Sequence, residues 1–250
     1  MPRPLILIGL PTHDGRMQFG TAQAALRWEN PVVLSQYTDE LGEAPFNVAI
    51  AMVATSDLCR TFNLLWCEAL NRGATHFAML HDDLVPNDQW LIKLWLAMRQ
   101  TGAACVSAVS PIKNESGLTS TAVAPPVPAA PQHLPGWLWS IKHQVTLAEL
   151  EHMPTVFGAA DVPGCQAGDV LLVNTGCMLL DVQAITEQIP DFCFDMAHAI
   201  ENVDGFWKCK NDRTEDWEMA RLLAQANLSA VCHQGVRLQH FGGKVYRAGR

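Results

Sequence analysis

Short apolar runs alternate with segments of helical periodicity along the first half of the chain. Residues 5–10, 76–80 and 103–109 are apolar runs, each short enough for a buried strand. Helical segments lie between the first and second runs and between the second and third. A strand, helix, strand, helix, strand pattern at this spacing predicts βαβ crossovers and a mostly parallel α/β sheet flanked by helices.

Two amphipathic helices are expected in these intervals. The first covers residues 57–72 and stops at Gly73, and the second follows a cap at Asn87 or Asp88 and stops at Gly102. Each places its apolar residues on one face. These residues are Leu58, Phe62, Leu65 and Ala69 in the first helix, and Leu91, Leu94, Trp95 and Met98 in the second.

The second half of the chain has a different pattern. Residues 111–136 include the proline-rich run APPVPAAPQHLPG, which excludes a regular central element and predicts a linker or a long surface excursion. Residues 170–180 return to strand character, with Gly176 indicating a bulge or a close backbone approach. A short helix is expected within residues 146–154, a well-capped helix at 214–226, and closing strands within 229–234 and 236–243.

Length and composition favour one folded domain. The chain has 250 residues, of which 49% are hydrophobic and 17% charged, enough for a sizeable core. We expect residues 1–250 to form a single domain. Its first half covers residues 1–110, an insert covers 111–169, and its second half covers 170–250.

Charge and cysteine content narrow the compartment and the partners. Eight cysteines without a CxxC pair argue against a zinc ribbon and suit a reducing cytoplasm. The first apolar run is short for a signal peptide, and no stretch reaches the length of a membrane span. A net charge of -8 argues against wholesale coating of nucleic acid, although basic residues in the last fifth of the chain leave a local basic groove open.

Two adjacent carboxylates mark the end of the second apolar run. His81, Asp82 and Asp83 follow it directly. In an open parallel sheet, ligands bind beyond the carboxyl ends of the strands, so Asp82 and Asp83 could hold Mg²⁺ or Mn²⁺ against a diphosphate. The alternative is that both residues only end the strand and precede the next helix.

Further polar candidates follow other predicted elements. His240 precedes two glycines after an apolar strand, and Glu215-Asp216 open a predicted helix, where acids are also ordinary partners of the helix dipole. The segment PTHDGR follows the first strand, where a base and ribose would lie, and Arg60 and Asn63 are polar positions on the first helix. An arginine there suits a phosphate, and a solvated arginine is the alternative.

The ordered set of these motifs resembles short, family-2-like glycosyltransferases of the GT-A fold from bacteria and phages. The matches cover nearly the whole chain apart from the proline-rich insert. One departure is that His81 stands at the first position of what is D-x-D in that family. The matches, in chain order, are Pro11-Thr12-His13-Asp14-Gly15, Cys59-Arg60 with Asn63, His81-Asp82-Asp83, Thr175-Gly176-Cys177-Met178-Leu179-Leu180, Thr214-Glu215-Asp216 and His240-Phe241-Gly242.

The resemblance implies a Rossmann-like GT-A sheet and a single catalytic domain that transfers a sugar from a nucleotide-diphosphate donor, with a UDP-sugar as first choice. It implies that residues 1–110 bind the nucleotide sugar, that the insert 111–169 lies on the acceptor side, and that residues 170–250 bind the acceptor and complete the metal site. It implies Mn²⁺ or Mg²⁺ at Asp83 and His240, and His81 either weakens this site or replaces the missing carboxylate. If the enzyme inverts, Asp216 is the first candidate for the base and Glu215 the second; if it retains, no base is required. The implied donor-binding residues are Pro11, Thr12, Asp14, Arg60, Asn63, His81 and Asp82.

The acceptor stays open at this point. A glycan or a small molecule ranks slightly ahead of a hydroxylated base in phage DNA. Gly176, Trp137 and Trp139 are acceptor-side candidates, although packing is the more frequent role of tryptophan. Two other functions compete: a metal-dependent nucleotidyltransferase, for which the loop after the first strand has few glycines and basic residues, and a non-catalytic module that binds a sugar nucleotide or glycan.

Overall fold

A computed structural model describes residues 3–28, 45–126, 141–242 and 245–249. The helices are α1 Phe19–Leu26, α2 Leu58–Asn71, α3 Trp90–Thr101, α4 Val182–Gln188 and α5 Glu215–Gln225, with short 3₁₀ helices at Glu149–His152 and Ala159–Asp161. The strands are β1 Leu5–Thr12, β2 Asn47–Ala54, β3 His76–Leu80, β4 Leu84–Pro86, β5 Cys105–Ala108, β6 Leu118–Ala124, β7 His143–Thr146, β8 Val156–Phe157, β9 Val170–Leu172, β10 Cys177–Asp181, β11 Ala197–Val203, β12 Phe206–Arg213, β13 Ala230–His233, β14 Leu238–Phe241 and β15 Val245–Ala248.

The central sheet has seven strands in the order β2-β1-β3-β10-β5-β13-β8. β1 pairs in parallel with β2 and β3, and β13 pairs in parallel with β5. β10 runs antiparallel between β3 and β5, and β8 runs antiparallel to β13 at the edge. Five of the seven strands therefore share one direction, which confirms the predicted α/β fold with a mostly parallel sheet.

Each face of this sheet is covered by helices. Alternation along β1 sends Ile6 and Ile8 to a core formed with α1 and α3, and sends Leu7 to a core formed with α2, α4 and α5. The α2 face buries Phe62, Leu65 and Ala69 as predicted, whereas Leu58 is 43% exposed. Leu58 lies in the first turn of α2, at the end of the helix that borders the cleft described below.

The second half departs from the prediction in two places. The segment 111–136 includes a regular strand, β6, which ends at Ala124 just before Pro125. β6 belongs to a peripheral sheet of order β7-β6-β9, and residues 127–136 of the proline-rich run lie outside the described residues. The apolar run 170–180 is two strands in different sheets, β9 and β10, and the chain changes sheets between Val173 and Gly176.

Helix caps and one edge strand also differ from the prediction. The residue that precedes α3 is Gln89, not Asn87 or Asp88, and its side chain makes no capping bond. Thr214 precedes α5 but also makes no side-chain bond to the helix backbone. The strand β2 was not predicted; it lies at the sheet edge and is only partly buried.

No helix in the described part of the chain has the length and apolar character to cross a membrane.

Candidate functional site

The carboxyl ends of β1, β2 and β3 meet at one edge of the central sheet and enclose a cleft of about 240 Å³. The antiparallel strand β10 begins at this same edge, so residues 174–176 lie there as well. The loops after β1, β2 and β3 and the start of α2 supply the walls. The lining residues are Pro11, Thr12, His13, Thr55, Ser56, Leu58, Thr61, His81, Asp82 and Asp83.

The backbone of the two aspartates is held from both sides. The Gln18 amide donates to the Asp82 carbonyl over 2.9 Å, and the buried Thr21 hydroxyl donates to the Leu84 carbonyl over 2.7 Å. From the other side, the Phe241 amide donates to the Asp83 carbonyl over 2.8 Å. A loop fixed at its backbone loses little conformational entropy when its side chains bind a ligand.

Asp82 and Asp83 direct their carboxylates to different neighbours. Asp82 lies beside Thr12 and the backbone of His13, at the end of β1. Burial raises the pKa of Asp82, and the hydrogen bonds from Thr12 and His13 oppose this rise. Asp82 therefore lies on the wall that β1 supplies to the cleft.

Asp83 instead contacts two basic side chains, Lys113 and His240. Lys113 Nζ pairs with Asp83 Oδ2, and His240 Nε2 lies 3.6 Å from the same oxygen. Burial alone would raise the pKa of Asp83, but the side chains of His240 and Lys113 outweigh it and hold the pKa well below its usual range. Asp83 is thus an ionised carboxylate with a histidine and a lysine at one oxygen.

The pair of Asp83 and His240 fits a divalent metal ion in part. The Pro111 carbonyl lies 2.8 Å from His240 Nδ1. A carbonyl can only accept, so Nδ1 donates to it and Nε2 is the ring nitrogen that faces Asp83. A carboxylate and an imidazole nitrogen are both ligands of divalent metal ions, so Asp83 and His240 could hold one together. In the described ranges no cluster of three or more His, Cys, Asp or Glu residues is suited to a metal, so further ligands would have to come from a bound phosphate or water.

His81 is partly buried and lies beneath the cleft. Its ring packs against Phe62 with centroids 5.1 Å apart, and Nε2 is 3.4 Å from the Thr175 hydroxyl. Burial lowers the pKa of His81 to about 4, against the opposing charge of Asp83. His81 is therefore neutral near pH 7 and does not supply the negative charge of the carboxylate that it replaces in the D-x-D pattern.

The start of α5 carries two acids with altered acidity. Burial, followed by the neighbouring charge of Asp216, raises the pKa of Glu215 to about 7, and its residue is only 7% exposed. Burial raises the pKa of Asp216 to about 6, although the Thr214 hydroxyl and the Trp217 amide both donate to its Oδ1. The Glu215 charge also acts on Cys59 in the first turn of α2, which places Glu215 near the helix end that borders the cleft.

A short series of hydrogen bonds connects α5 with the Asp83 site. Trp217 Nε1 donates to the Ser120 carbonyl over 3.1 Å, and the Ser120 amide donates to the Ser110 carbonyl over 2.9 Å. The Ser110 hydroxyl in turn lies 3.4 Å from His240 Nδ1. The α5 acids and the Asp83–His240 pair are therefore parts of one connected region.

Other predicted site residues have varied surroundings. Pro11 and Thr12 are buried and line the cleft, whereas Asp14 is exposed and accepts from the Arg16 amide over 3.0 Å. The Arg60 side chain is exposed. Trp137 and Trp139 lie outside the described residues.

Asn63 and Gly176 have well-defined contacts within the chain. Asn63 Nδ2 donates to the Phe194 carbonyl and Asn63 Oδ1 accepts from the Phe194 amide, each over 2.8 Å. A Cβ at Gly176 would lie 2.5 Å from Leu84 Cδ1, and the Gly176 carbonyl accepts from the His81 amide over 2.8 Å. The close backbone approach predicted at Gly176 is present, and it fixes the start of the His81–Asp83 loop.

Sequence reasoning missed Lys113. It follows the strand at residues 103–109 by a few positions, so the rule that singled out Asp82 and Asp83 applied equally to it. Its aliphatic chain runs past Gly242, where a Cβ would lie 3.2 Å from Lys113 Cδ. The first glycine after His240 and Phe241 therefore leaves room for Lys113.

A larger cleft of about 450 Å³ lies at the opposite edge of the sheet. Its walls include residues 228–231 at the amino end of β13 and residues 166–171 before and within β9. Its one acidic residue is Asp169, which pairs with Lys142 over 2.6 Å. Most of its other lining residues are small or apolar, so the smaller cleft at the carboxyl edge is the better candidate for chemistry.

A scan against models of protein families finds no match, and a search of curated proteins finds none either. Among solved structures, the chain is similar to A197 from STIV, with 11% identity, a TM-score of 0.48, and coverage of 95% of this chain and 85% of A197. It is also similar to S. aureus TarS 1-349, with 8% identity and a TM-score of 0.43, and to S. aureus TarS, with 9% identity and a TM-score of 0.43. These two matches cover 97% of this chain but only 59% and 36% of the TarS chains. At such values the likeness carries no argument about function.

Proposed function

We propose that this chain is a cytoplasmic glycosyltransferase of the GT-A type, which moves a sugar from a nucleotide-diphosphate donor to a hydroxyl acceptor. The observation that carries the proposal is the arrangement around Asp82 and Asp83. One carboxylate borders the β1 wall of the cleft, and the other faces a histidine and a lysine. A polar wall next to a cation-binding carboxylate suits a ligand that joins a nucleoside to a diphosphate.

The donor would lie across the carboxyl edge of the sheet. Pro11, Thr12 and Asp82 would contact the nucleoside, with a UDP-sugar as first choice, and Asp83 would face the diphosphate. Asp83 and His240 would hold Mn²⁺ or Mg²⁺, with the remaining ligands from phosphate oxygens and water. Such an ion would neutralise charge that develops on the departing diphosphate.

Asp216 is the proposed base of an inverting transfer. The acceptor oxygen would form a bond to the anomeric carbon while the bond from that carbon to the diphosphate breaks, and Asp216 would take the acceptor proton. Both hydrogen bonds to Asp216 end on Oδ1, so Oδ2 is the proposed proton acceptor. Asp216 is preferred to Glu215 because Glu215 is the more buried of the two. The acceptor itself is proposed to be a glycan or a small molecule, and a hydroxylated DNA base ranks just behind.

Incubation with Mn²⁺ and a panel of UDP- and GDP-sugars tests the function. We expect release of nucleoside diphosphate with at least one donor and a thermal shift with the same donor. Asp216→Asn should retain the thermal shift and lower the release at least about a hundredfold. A shift without release for any donor would favour a non-catalytic sugar-nucleotide module, and neither shift nor release despite bound metal would exclude the glycosyltransferase proposal.

The nucleotidyltransferase alternative predicts another product. It requires a nucleoside triphosphate and releases pyrophosphate. The loop after β1 contributes Arg16 as its basic residue, and the Arg16 side chain is exposed and close to Asp14. Incubation with nucleoside triphosphates and an assay for pyrophosphate therefore separate the two enzymes.

A further inference from the structure

Lys113 places a positive charge at Asp83, the carboxylate whose negative charge the proposed metal ion would need. Its ammonium group pairs with Asp83 Oδ2, the same oxygen that lies 3.6 Å from His240 Nε2. Asp83 and His240 are the residues that would hold the metal ion, and Lys113 pairs with the same carboxylate. Two cations at one carboxylate repel each other, so the ion pair and the metal would compete.

The position of Lys113 is built into the fold rather than left to a free surface chain. The Lys113 loop follows β5, and the Asn114 side chain accepts from the Ser116 amide and hydroxyl to form a tight turn next to it. On the other side, Gly242 provides the space for the Lys113 aliphatic chain. The Lys113 and Asp83 side chains are 38% and 31% exposed, so the ammonium group can move to a ligand in the cleft.

We propose that the Lys113 ammonium group pairs with Asp83 while no metal is bound. When a metal ion binds, the ammonium group would move to the diphosphate of the donor. In the first state Lys113 neutralises the Asp83 carboxylate, so a weakly binding cation cannot displace it. In the second state its charge adds to that of the metal at the phosphate oxygens, where an ammonium group binds as a point charge. This second step rests on the proposed function, whereas the competition for Asp83 does not.

Mn²⁺ titration of the full chain without nucleotide tests the competition. Electron paramagnetic resonance of free Mn²⁺ gives the affinity without any turnover. We expect Lys113→Met to bind Mn²⁺ about fivefold more tightly than the unmodified chain, the size of a partly exposed ion pair. Lys113→Arg, which keeps the charge, should remain within about twofold of the unmodified chain. An unchanged or weaker affinity in Lys113→Met, or no Mn²⁺ binding in any of the three proteins, would overturn the competition.

Binding of UDP and GDP at saturating Mn²⁺ tests the transfer to the diphosphate. We expect Lys113→Met to bind the preferred nucleotide about tenfold more weakly, as for loss of one charged phosphate contact. The corresponding nucleoside, which lacks phosphates, should bind both proteins equally. An equal loss for the nucleoside, or no loss for the diphosphate, would overturn this step. If neither diphosphate binds the unmodified chain, this step and the proposed function both fail, while the Mn²⁺ result still decides the competition.

Discussion

His240 Nε2 lies 3.6 Å from Asp83 Oδ2, and the other ring nitrogen of His240 lies 2.8 Å from the Pro111 carbonyl. In the second contact Nδ1 donates to the carbonyl, and this orients the ring so that Nε2 faces the carboxylate. β14 and β4 pair at this point, with His240 opposite Leu84, which brings together residues more than 150 positions apart in the chain. The relationship between Asp83 and His240 is thus a product of the small β15-β14-β4 sheet.

Replacing His240 should weaken metal binding. His240→Asn removes the Nε2 donor, and we expect at least about a tenfold loss of Mn²⁺ affinity, the size usual for disruption of a metal-site histidine. Titration calorimetry measures it. His152→Asn, at an exposed histidine in the 3₁₀ helix Glu149–His152, is the matched control and should not change the affinity. Equal affinities in all three proteins would contradict a role for His240 at the metal.

The two adjacent aspartates should have separable effects. Asp83→Asn is expected to abolish measurable Mn²⁺ binding, because it removes the charged ligand, and Asp82→Asn should retain it within about threefold. Asp82→Asn should instead weaken binding of UDP without metal, since Asp82 lies at the β1 wall beside Thr12. Each variant is the control for the other, and parallel losses in both assays would show that the carboxylates act together.

The stability of the chain should depend on pH through Glu215. Its pKa is raised to about 7, so the folded chain holds its proton more tightly than the unfolded chain does. Stability from this group is therefore present at low pH and is lost as the pH rises from about 4.5 to about 7. We expect Glu215→Gln to be more stable than the unmodified chain at pH 8, by an amount on the order of 2 kcal/mol, and equally stable at pH 4.

Chemical denaturation at several pH values checks this expectation. Glu151→Gln, at an exposed glutamate, is the matched control and should leave the pH profile unchanged. A Glu215→Gln variant that is less stable at every pH would show that the carboxylate makes a stabilising contact instead.

A side chain at Gly176 should disturb the base of the site. The Cβ of Gly176→Ala would lie 2.5 Å from Leu84 Cδ1, and Leu84 is buried in the core that α1 and α3 help to form. We expect a loss of about 1–3 kcal/mol in the free energy of unfolding, as for other overpacked positions. Leu84→Ala makes space at the same point, so the double variant should lose less than the sum of the single losses. Simple additivity in denaturation experiments would contradict the direct contact.

Asn63 should support the fold through Phe194. Asn63→Ala removes both hydrogen bonds to the Phe194 backbone, and we expect a loss of about 1–3 kcal/mol. Asn71→Ala, at an exposed asparagine in the last turn of the same helix, should have little effect. Thermal unfolding gives the stability, and UDP titration below the unfolding temperature tests the alternative. A weaker UDP affinity with unchanged stability would favour the donor-binding role that the motif comparison implies.

Periodicity alone predicted the strands that are buried on both faces and the helices that have one buried face. β1 and β3 are buried on both faces and appear as continuous apolar runs, and α2 and α3 have one apolar face each. β2 was not predicted because it is an edge strand, whose residues are only partly buried and show no regular alternation. The apolar run 170–180 was predicted as one strand segment because apolar content does not show that its two parts join different sheets.

The part of the candidate site that could be predicted consists of polar residues that directly follow a strand. Asp82 and Asp83 follow β3, and this position alone made them candidate ligands. The divergence of their side chains depends on Thr12 on one side and on Lys113 and His240 on the other, and these contacts exist only in the folded chain. Lys113 was within reach of the same rule, but a lysine in a loop is usually a solvated charge.

The place of β10 in the central sheet has a consequence for the order in which the chain folds. β3 and β5 do not pair with each other; each pairs with β10, which follows them by some seventy residues or more along the chain. In a nascent chain that ends before Cys177, β3 therefore has an unpaired edge and β5 lacks both of its partners, because β13 also follows Cys177. The His81 amide also gains its partner, the Gly176 carbonyl, only when this strand arrives. Contacts of such long sequence separation form slowly, so we expect the His81–Asp83 loop to acquire its native geometry in a late step of folding.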